Sequence, residues 1–245
     1  NSKVESEGYD RTDLDLPGRQ DDLVRAVAAT GTPTVVVVNA GSPVVLPWAG
    51  DVAAVIQGYF GGQEFGSALA AVLSGAAEPG GRLPTTWPAA LGDVPVTDVT
   101  PDDGVLRYTE GLHIGYRAWL RADAEPAFPF GHGLGYTTWS WGAASRVGDT
   151  LEVTLANTGD RAGKQVVQVY AERADSDVER AERWLVGFAT VRAGAGQTVT
   201  ASIPLPERRF AHWTGEWSVE PGTYTLRAGA SVVDLPLSAE WTIGG

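Results

Sequence analysis

The sequence predicts an open α/β sheet, an α/β sandwich present in part, followed by an all-β sandwich. A continuous β-branched run, Thr34 to Asn39, lies between two helical stretches. From Gly142 onward the periodicity changes to short alternating apolar runs separated by turn residues. Between these halves, from about Arg82 to Trp141, Pro, Gly and aromatic residues accumulate with little periodicity. We divide the chain accordingly into an α/β portion at 1–118, an aromatic and Pro/Gly connector at 119–141, and a β domain at 142–245.

In the first portion, Asp21 to Ala28 reads as a helix with Leu23, Val24 and Val27 on its inward face and early acids suited to the N-terminal dipole. Gly31 ends it. The run Thr34-Val35-Val36-Val37-Val38-Asn39 has the character of a parallel strand buried on both faces. A further apolar run, Val52 to Ile56, precedes Gly61-Gly62, and a second helix is expected over Gln63 to Ser74, with Ala68, Leu69, Val72 and Leu73 inward and Gly75 as its C-terminal cap.

The stretch from about Arg82 to Trp141 holds Trp87, Phe128, Phe130, Tyr136, Trp139 and Trp141, too much aromatic surface for a disordered linker. Packing between two domains accounts for it best; stacking on sugar rings is a second role open to such residues. In the last portion, strands are expected around Leu151 to Leu155, Val167 to Tyr170, Trp184 to Val191, Val199 to Leu205, Trp217 to Val219, Tyr224 to Arg227, and Val232 to Leu237 with Trp241 to Ile243. About seven strands in roughly 100 residues, without a cysteine pair, describe an immunoglobulin-like sandwich of the fibronectin type III kind.

Charge and composition narrow the function. With 18 Lys and Arg against 30 Asp and Glu, the net charge is −12, so no basic face is expected to neutralise phosphates, and nucleic acid and anionic membranes are not expected partners. No apolar run approaches the ~20 residues of a membrane span. Cysteine is absent, which excludes thiolate metal sites and a cysteine nucleophile, and His113, His132 and His212 lack metal-ligand spacing, so neither metal nor cofactor is expected. Methionine is absent too, and the chain reads as a piece of something longer.

Two loops invite chemistry. Asn39-Ala40-Gly41-Ser42 follows the buried run, but the glycine patterns of phosphate loops are missing, Pro43 stands where a helix should begin, and Ser42 lacks a nucleophile elbow; a plain strand exit is the better reading. The segment Glu5-Ser6-Glu7-Gly8-Tyr9-Asp10-Arg11 gathers three carboxylates, a glycine, an aromatic and a guanidinium. Crowded carboxylates raise one another's pKa, which suits a group that must carry a proton near neutral pH. Arg11 is placed to tie down Asp10 as an ion pair. A solvated acidic segment fits the same residues.

Taken together, Glu7-Gly8-Tyr9-Asp10-Arg11, Leu14-x-Leu16-Pro17, the Val35 to Asn39 run, Gly62-Gln63-Glu64-x-Gly66, Gly80-Gly81-Arg82-Leu83-Pro84-Thr85-Thr86-Trp87-Pro88, Glu110-Gly111-x-x-x-Gly115-Tyr116-Arg117 and Phe130-Gly131-His132-Gly133-Leu134-Gly135-Tyr136-Thr137-Thr138 resemble, in order, the C-terminal part of glycoside hydrolase family 3, the β-glucosidase family. The resemblance implies a retaining exo-β-glycosidase, most often a β-glucosidase acting on terminal non-reducing β-D-glucosyl residues. In that family an N-terminal (β/α)8 barrel supplies an aspartate nucleophile, in the same or an associated chain, and the α/β sandwich domain supplies the general acid/base. Carried onto this chain, the acid/base is Glu7, with Glu5 as second candidate. The partners implied are a β-glycoside substrate and the barrel. The alternative is a non-catalytic carbohydrate-binding or docking module built from the same domains. Many relatives read Phe-Gly-Tyr-Gly-Leu-Ser-Tyr where this chain has His132 and Gly135, a departure expected to alter packing more than chemistry.

Overall fold

A computed structural model describes residues 11–97 and 100–244. The α/β portion contains α1 (Gln20–Ala28), β1 (Val35–Val38), β2 (Ala54–Gln57), α2 (Phe65–Leu73) and α3 (Tyr116–Arg121). Strands β1 and β2 pair in parallel, Val35 opposite Ala54 through Val38 opposite Gln57. Val38 is buried but Val35 is 46% exposed, which corrects the expectation of a run covered on both faces.

The helices show the same effect. On α1 the inward residues are Asp21, Val24 and Ala28; Leu23 and Val27, expected inside, are exposed. The rotation follows from Trp48, fully buried, whose indole Nε1 donates to Asp21 Oδ1 at 2.6 Å. Pairing a buried indole N–H lowers the cost of its burial, and Asp21, on the inward face of α1, provides the acceptor. On α2, Leu69 and Val72 are half-buried whereas Ala68 and Leu73 are exposed. Gly75 caps this helix as expected, at φ +75° with its amide donating to Val72 O. The core of the portion is Val38, Val44, Leu46, Trp48 and Trp87, onto which Leu16, Val24, Val36 and Phe128 pack.

The second portion is an antiparallel sandwich. One sheet joins β3 (Trp139–Val147), β4 (Thr150–Asn157) and β7 (Thr198–Pro204) in the order β3-β4-β7. The other joins β5 (Gly163–Glu172), β6 (Trp184–Ala193), β10 (Gly222–Gly229) and β11 (Leu237–Ile243) in the order β11-β10-β5-β6. A small hairpin, β8 (His212–Trp213) with β9 (Trp217–Ser218), stands apart from both. Alternation along β4 sends Leu151, Val153 and Leu155 inward against Val167, Val169, Ile203, Leu226 and Trp241. Strand β3, which the sequence pattern did not indicate, begins at Trp139 and carries a bulge between Trp141 and Ala144. Val232 to Pro236 is not a strand. Its first residues close a turn, Ala230 N donating to Asp234 O, and the Val232 amide leaves the sheet to donate to Phe130 O at 3.1 Å.

Connector residues join the portions. Trp87 is buried and exchanges backbone hydrogen bonds with Phe128, and Leu83 does likewise with Gly131 and His132. Gly131 sits at φ +83°, and a Cβ there would strike the Gln168 amide, so glycine alone fits. Gly135 leaves room for Glu78 Oε1, which accepts the Tyr136 amide at 3.1 Å. His132 is held neutral, its pKa lowered by burial and then by nearby Arg82. The two departures from the family segment therefore alter packing in this region.

At the far edge of the sandwich, burial acts to raise the Glu220 carboxyl, but the Asp177 amide, the Ser176 hydroxyl, Arg180 and Arg173 together bring it down from 4.5 to about 2. The depressed folded pKa means that the unfolded chain takes up this proton first. The stabilisation is full above the unfolded value of 4.5 and is lost as pH falls toward 2. We expect the thermal midpoint to fall across this window, and Glu220→Gln to flatten that part of the profile while costing on the order of 2 kcal/mol at neutral pH. Unfolding curves of both proteins against pH measure it; parallel profiles would refute it.

Candidate functional site

In open α/β sheets, ligands meet the chain outside the carboxyl ends of the strands. Here those ends are Asn39 to Ser42 after β1 and Gly58 to Phe60 after β2. They are tied to each other: the Gly58 amide donates to Val38 O at 2.8 Å and the Gln57 amide Nε2 to Ala40 O at 2.6 Å. Gly41 lies against the Phe60 ring, which a Cβ would meet at 2.5 Å. Tyr59, at φ +52°, is among the few non-glycine residues in the left-handed region. Backbone strain of this kind persists where surrounding structure imposes it.

Onto these ends comes the segment that follows the acidic loop. Arg11 Nη2 donates to Ser42 Oγ at 2.9 Å and to Pro43 O at 3.2 Å. Three residues on, Leu14 O accepts the Val45 amide at 2.8 Å. A partly buried guanidinium and a backbone bond thus fasten residues 11–14 along the exit of β1. Ser42 serves as an anchor for the charged donor, a role the local sequence did not suggest because its partner is 31 positions away. The candidates Glu7 and Glu5, and Asp10 as the expected partner of Arg11, lie outside the described residues.

Beside the anchor opens a groove of about 580 Å³. Pro43, Thr85, Thr86, Val94, Ile114 and Tyr116 are among the residues that line it. Tyr116 is held from below, stacked on Phe130 at 4.7 Å and accepting the Leu185 amide through its hydroxyl at 2.9 Å. Gly115, at φ +53°, turns the chain into α3 at this point.

The histidines are dispersed. Nε2 of His113 lies 3.1 Å from Glu179, His132 packs on Phe128, and His212 lies between Arg180 and Ser218. Among the described residues no group of three or more metal-ligating side chains is assembled, and no helix is long and apolar enough to cross a membrane.

Residues 1–136 match the glycosyl hydrolase family 3 C-terminal domain, and residues 165–232 match a fibronectin type III-like domain. The chain is 42% identical over 249 residues to a β-glucosidase of Rhizobium radiobacter, covering 96% of this chain and 30% of that protein. It is 39% identical over 247 residues to the thermostable β-glucosidase B of Acetivibrio thermocellus, covering 96% of this chain and 33% of the relative. Among solved structures, the Kluyveromyces marxianus β-glucosidase in complex with glucose superposes with a TM-score of 0.91 at 36% identity, covering all of this chain and 31% of its own. The chain therefore spans about a third of the length of the relatives it matches.

Removing the anchor tests the geometry directly. Arg11→Ala should cost about 2 kcal/mol and accelerate amide exchange at Val45, while Gly58, bonded within the strand pair, stays protected. Ser42→Ala, which leaves the Pro43 carbonyl in place, should show a smaller effect. Equal protection of Val45 in wild type and Arg11→Ala would refute the anchoring role.

Proposed function

The chain belongs to glycoside hydrolase family 3, and we propose that it forms the C-terminal portion of a retaining exo-β-glycosidase, most simply a β-glucosidase removing terminal non-reducing β-D-glucosyl residues. In this reading Glu7 is the general acid/base, with Glu5 as second candidate, and the aspartate nucleophile comes from a (β/α)8 barrel outside these 245 residues. The division of the chain at 118 and 141 into sheet, connector and sandwich belongs to the same proposal.

The observation that carries it is the double hydrogen bond from Arg11 to Ser42 and Pro43. In this reading the acid/base loop is anchored through Arg11 at the exit of β1, on the side of the strand ends where open α/β sheets take their ligands. Those ends, with the groove beside Pro43, form the side of the α/β portion where a sugar and a second domain would meet it.

Glu7 protonates the glycosidic oxygen while the barrel aspartate attacks the anomeric carbon, and the leaving alcohol departs with that proton. The glycosyl ester is then hydrolysed by water, from which Glu7, now a carboxylate, takes a proton. In a retaining site the two carboxyl groups stand ~5–5.5 Å apart. A single carboxylate cannot complete the cycle, so activity belongs to the intact protein.

In the intact protein, Glu7→Ala should lower kcat/KM for alkyl glycosides by about three orders of magnitude and far less for nitrophenyl glycosides, whose leaving groups need little protonation. Azide should restore turnover of the nitrophenyl substrate and yield the β-glycosyl azide. Equal losses on both substrates would remove Glu7 from this role and direct the same test to Glu5.

A further inference from the structure

The connector aromatics are spent on packing, but two tryptophans of the sandwich are not. Trp213 and Trp217 face each other across the β8–β9 hairpin and remain 59% and 54% exposed. Their rings lie 5.2 Å apart at 63°, and the Arg208 guanidinium lies 3.4 Å from the centre of the Trp217 ring. The intervening residues Thr214, Gly215 and Glu216 are polar or small and exposed.

The hairpin is fixed on both flanks. Before it, Phe210 is fully buried in the core and its carbonyl accepts from Arg180 at 3.3 Å. After it, Glu220 is held by Arg180 at 3.1 Å and by Arg173 at 3.4 Å. His212 connects the two, its Nδ1 3.4 Å from Arg180 and its Nε2 3.3 Å from Ser218 Oγ. Two large apolar rings are thus presented to solvent on a braced support, so little ordering is left to be paid on binding.

The occupant follows from size and charge. Even fully covered, two indoles bury at most about 500 Å², short of the ~800 Å² per partner of a stable protein interface. A net charge of −12 opposes polyanions and acidic proteins but not a neutral ligand. Pyranose rings are neutral, with an apolar C–H face that matches an indole and equatorial hydroxyls that can meet the Arg208 guanidinium lying over the Trp217 ring. We propose that the Trp213–Trp217 hairpin is a binding platform for neutral β-glucan chains; the choice of β-glucan among neutral polysaccharides rests on the glycosidase reading above.

Affinity electrophoresis of the intact protein in native gels containing soluble barley β-glucan tests this. Carrying it out in the Glu7→Ala background keeps the polymer intact and makes the readout independent of turnover, so failure at Glu7 and failure at the hairpin are distinguishable. The protein should be retarded by the polymer. Trp213→Ala should raise the apparent Kd at least fivefold, Trp213→Phe should keep most of the retardation, and Arg208→Gln should weaken it two- to threefold. Otherwise wild-type protein carrying Trp213→Ala should hydrolyse nitrophenyl β-glucoside within twofold of the parent. Absence of retardation in the parent, or equal retardation of parent and Trp213→Ala, would overturn the proposal. So would a concentration-dependent dimer in light scattering that Trp213→Ala abolishes without any retardation by the polymer, which would assign the hairpin to self-association.

Discussion

Strand β5 must be buried on both faces, and much of the chain is arranged around meeting that demand. Val167, Val169 and Ala171 face the sandwich core, while Gln168 and Tyr170 are buried on the other side. A buried amide is tolerated only if its polar atoms are paired. Gln168 Nε2 donates to Gly131 O at 3.0 Å and to Ala230 O at 2.5 Å, and its Oε1 accepts from the Tyr170 hydroxyl at 2.7 Å. Burial, reinforced by neighbouring Tyr116 and only partly offset by Arg183, holds the Tyr170 phenol far above its ordinary range, so it remains a donor. The connector therefore supplies the acceptor and the cover that this strand lacks on its own.

The same seam joins the sandwich to the segment that shapes the groove. Arg82 Nη2 donates to Gln165 Oε1 at 2.5 Å, its pKa lowered by burial and partly restored by Glu78. Arg161 reaches back to Gly75 O at 2.7 Å, and Tyr136 donates to Val72 O at the end of α2 at 2.7 Å. Tyr116, between Phe130 and Tyr170, carries this packing to the groove wall. The β domain acts on the strand ends by holding the elements around them in place.

The α/β portion has the opposite character, because its apolar surface exceeds what its own residues cover. Leu23, Val27, Val35, Phe60 and Leu73 all stand exposed on or beside α1, β1, β2 and α2. Parallel strands are ordinarily covered on both faces, and among the described residues β1 and β2 pair only with each other while α1 and α2 leave these side chains uncovered. This distribution agrees with a chain that spans about a third of its relatives.

Local periodicity was enough to read α1, β1, β2 and α2 in order, the Gly75 cap and most sandwich strands, though not α3 or β3, because alternation and turn residues act over a few positions. The ordered motifs sufficed for the family, since their sequence order needs no contacts to be recognised. Which face of α1 turns inward was legible only once Trp48 had found Asp21, 27 residues away. The expected strand at Val232 failed for a similar reason: β-branched residues there are spent on a turn whose amide reaches Phe130. Arg11 was legible as a charged residue beside an acidic loop, whereas its attachment to Ser42 and Pro43, and the separation of exposed Trp213 and Trp217 from buried Trp48 and Trp87, were settled by tertiary structure alone. Residue type states what a side chain can bond or bury, but which partner reaches it depends on how distant segments are brought together by the shared core.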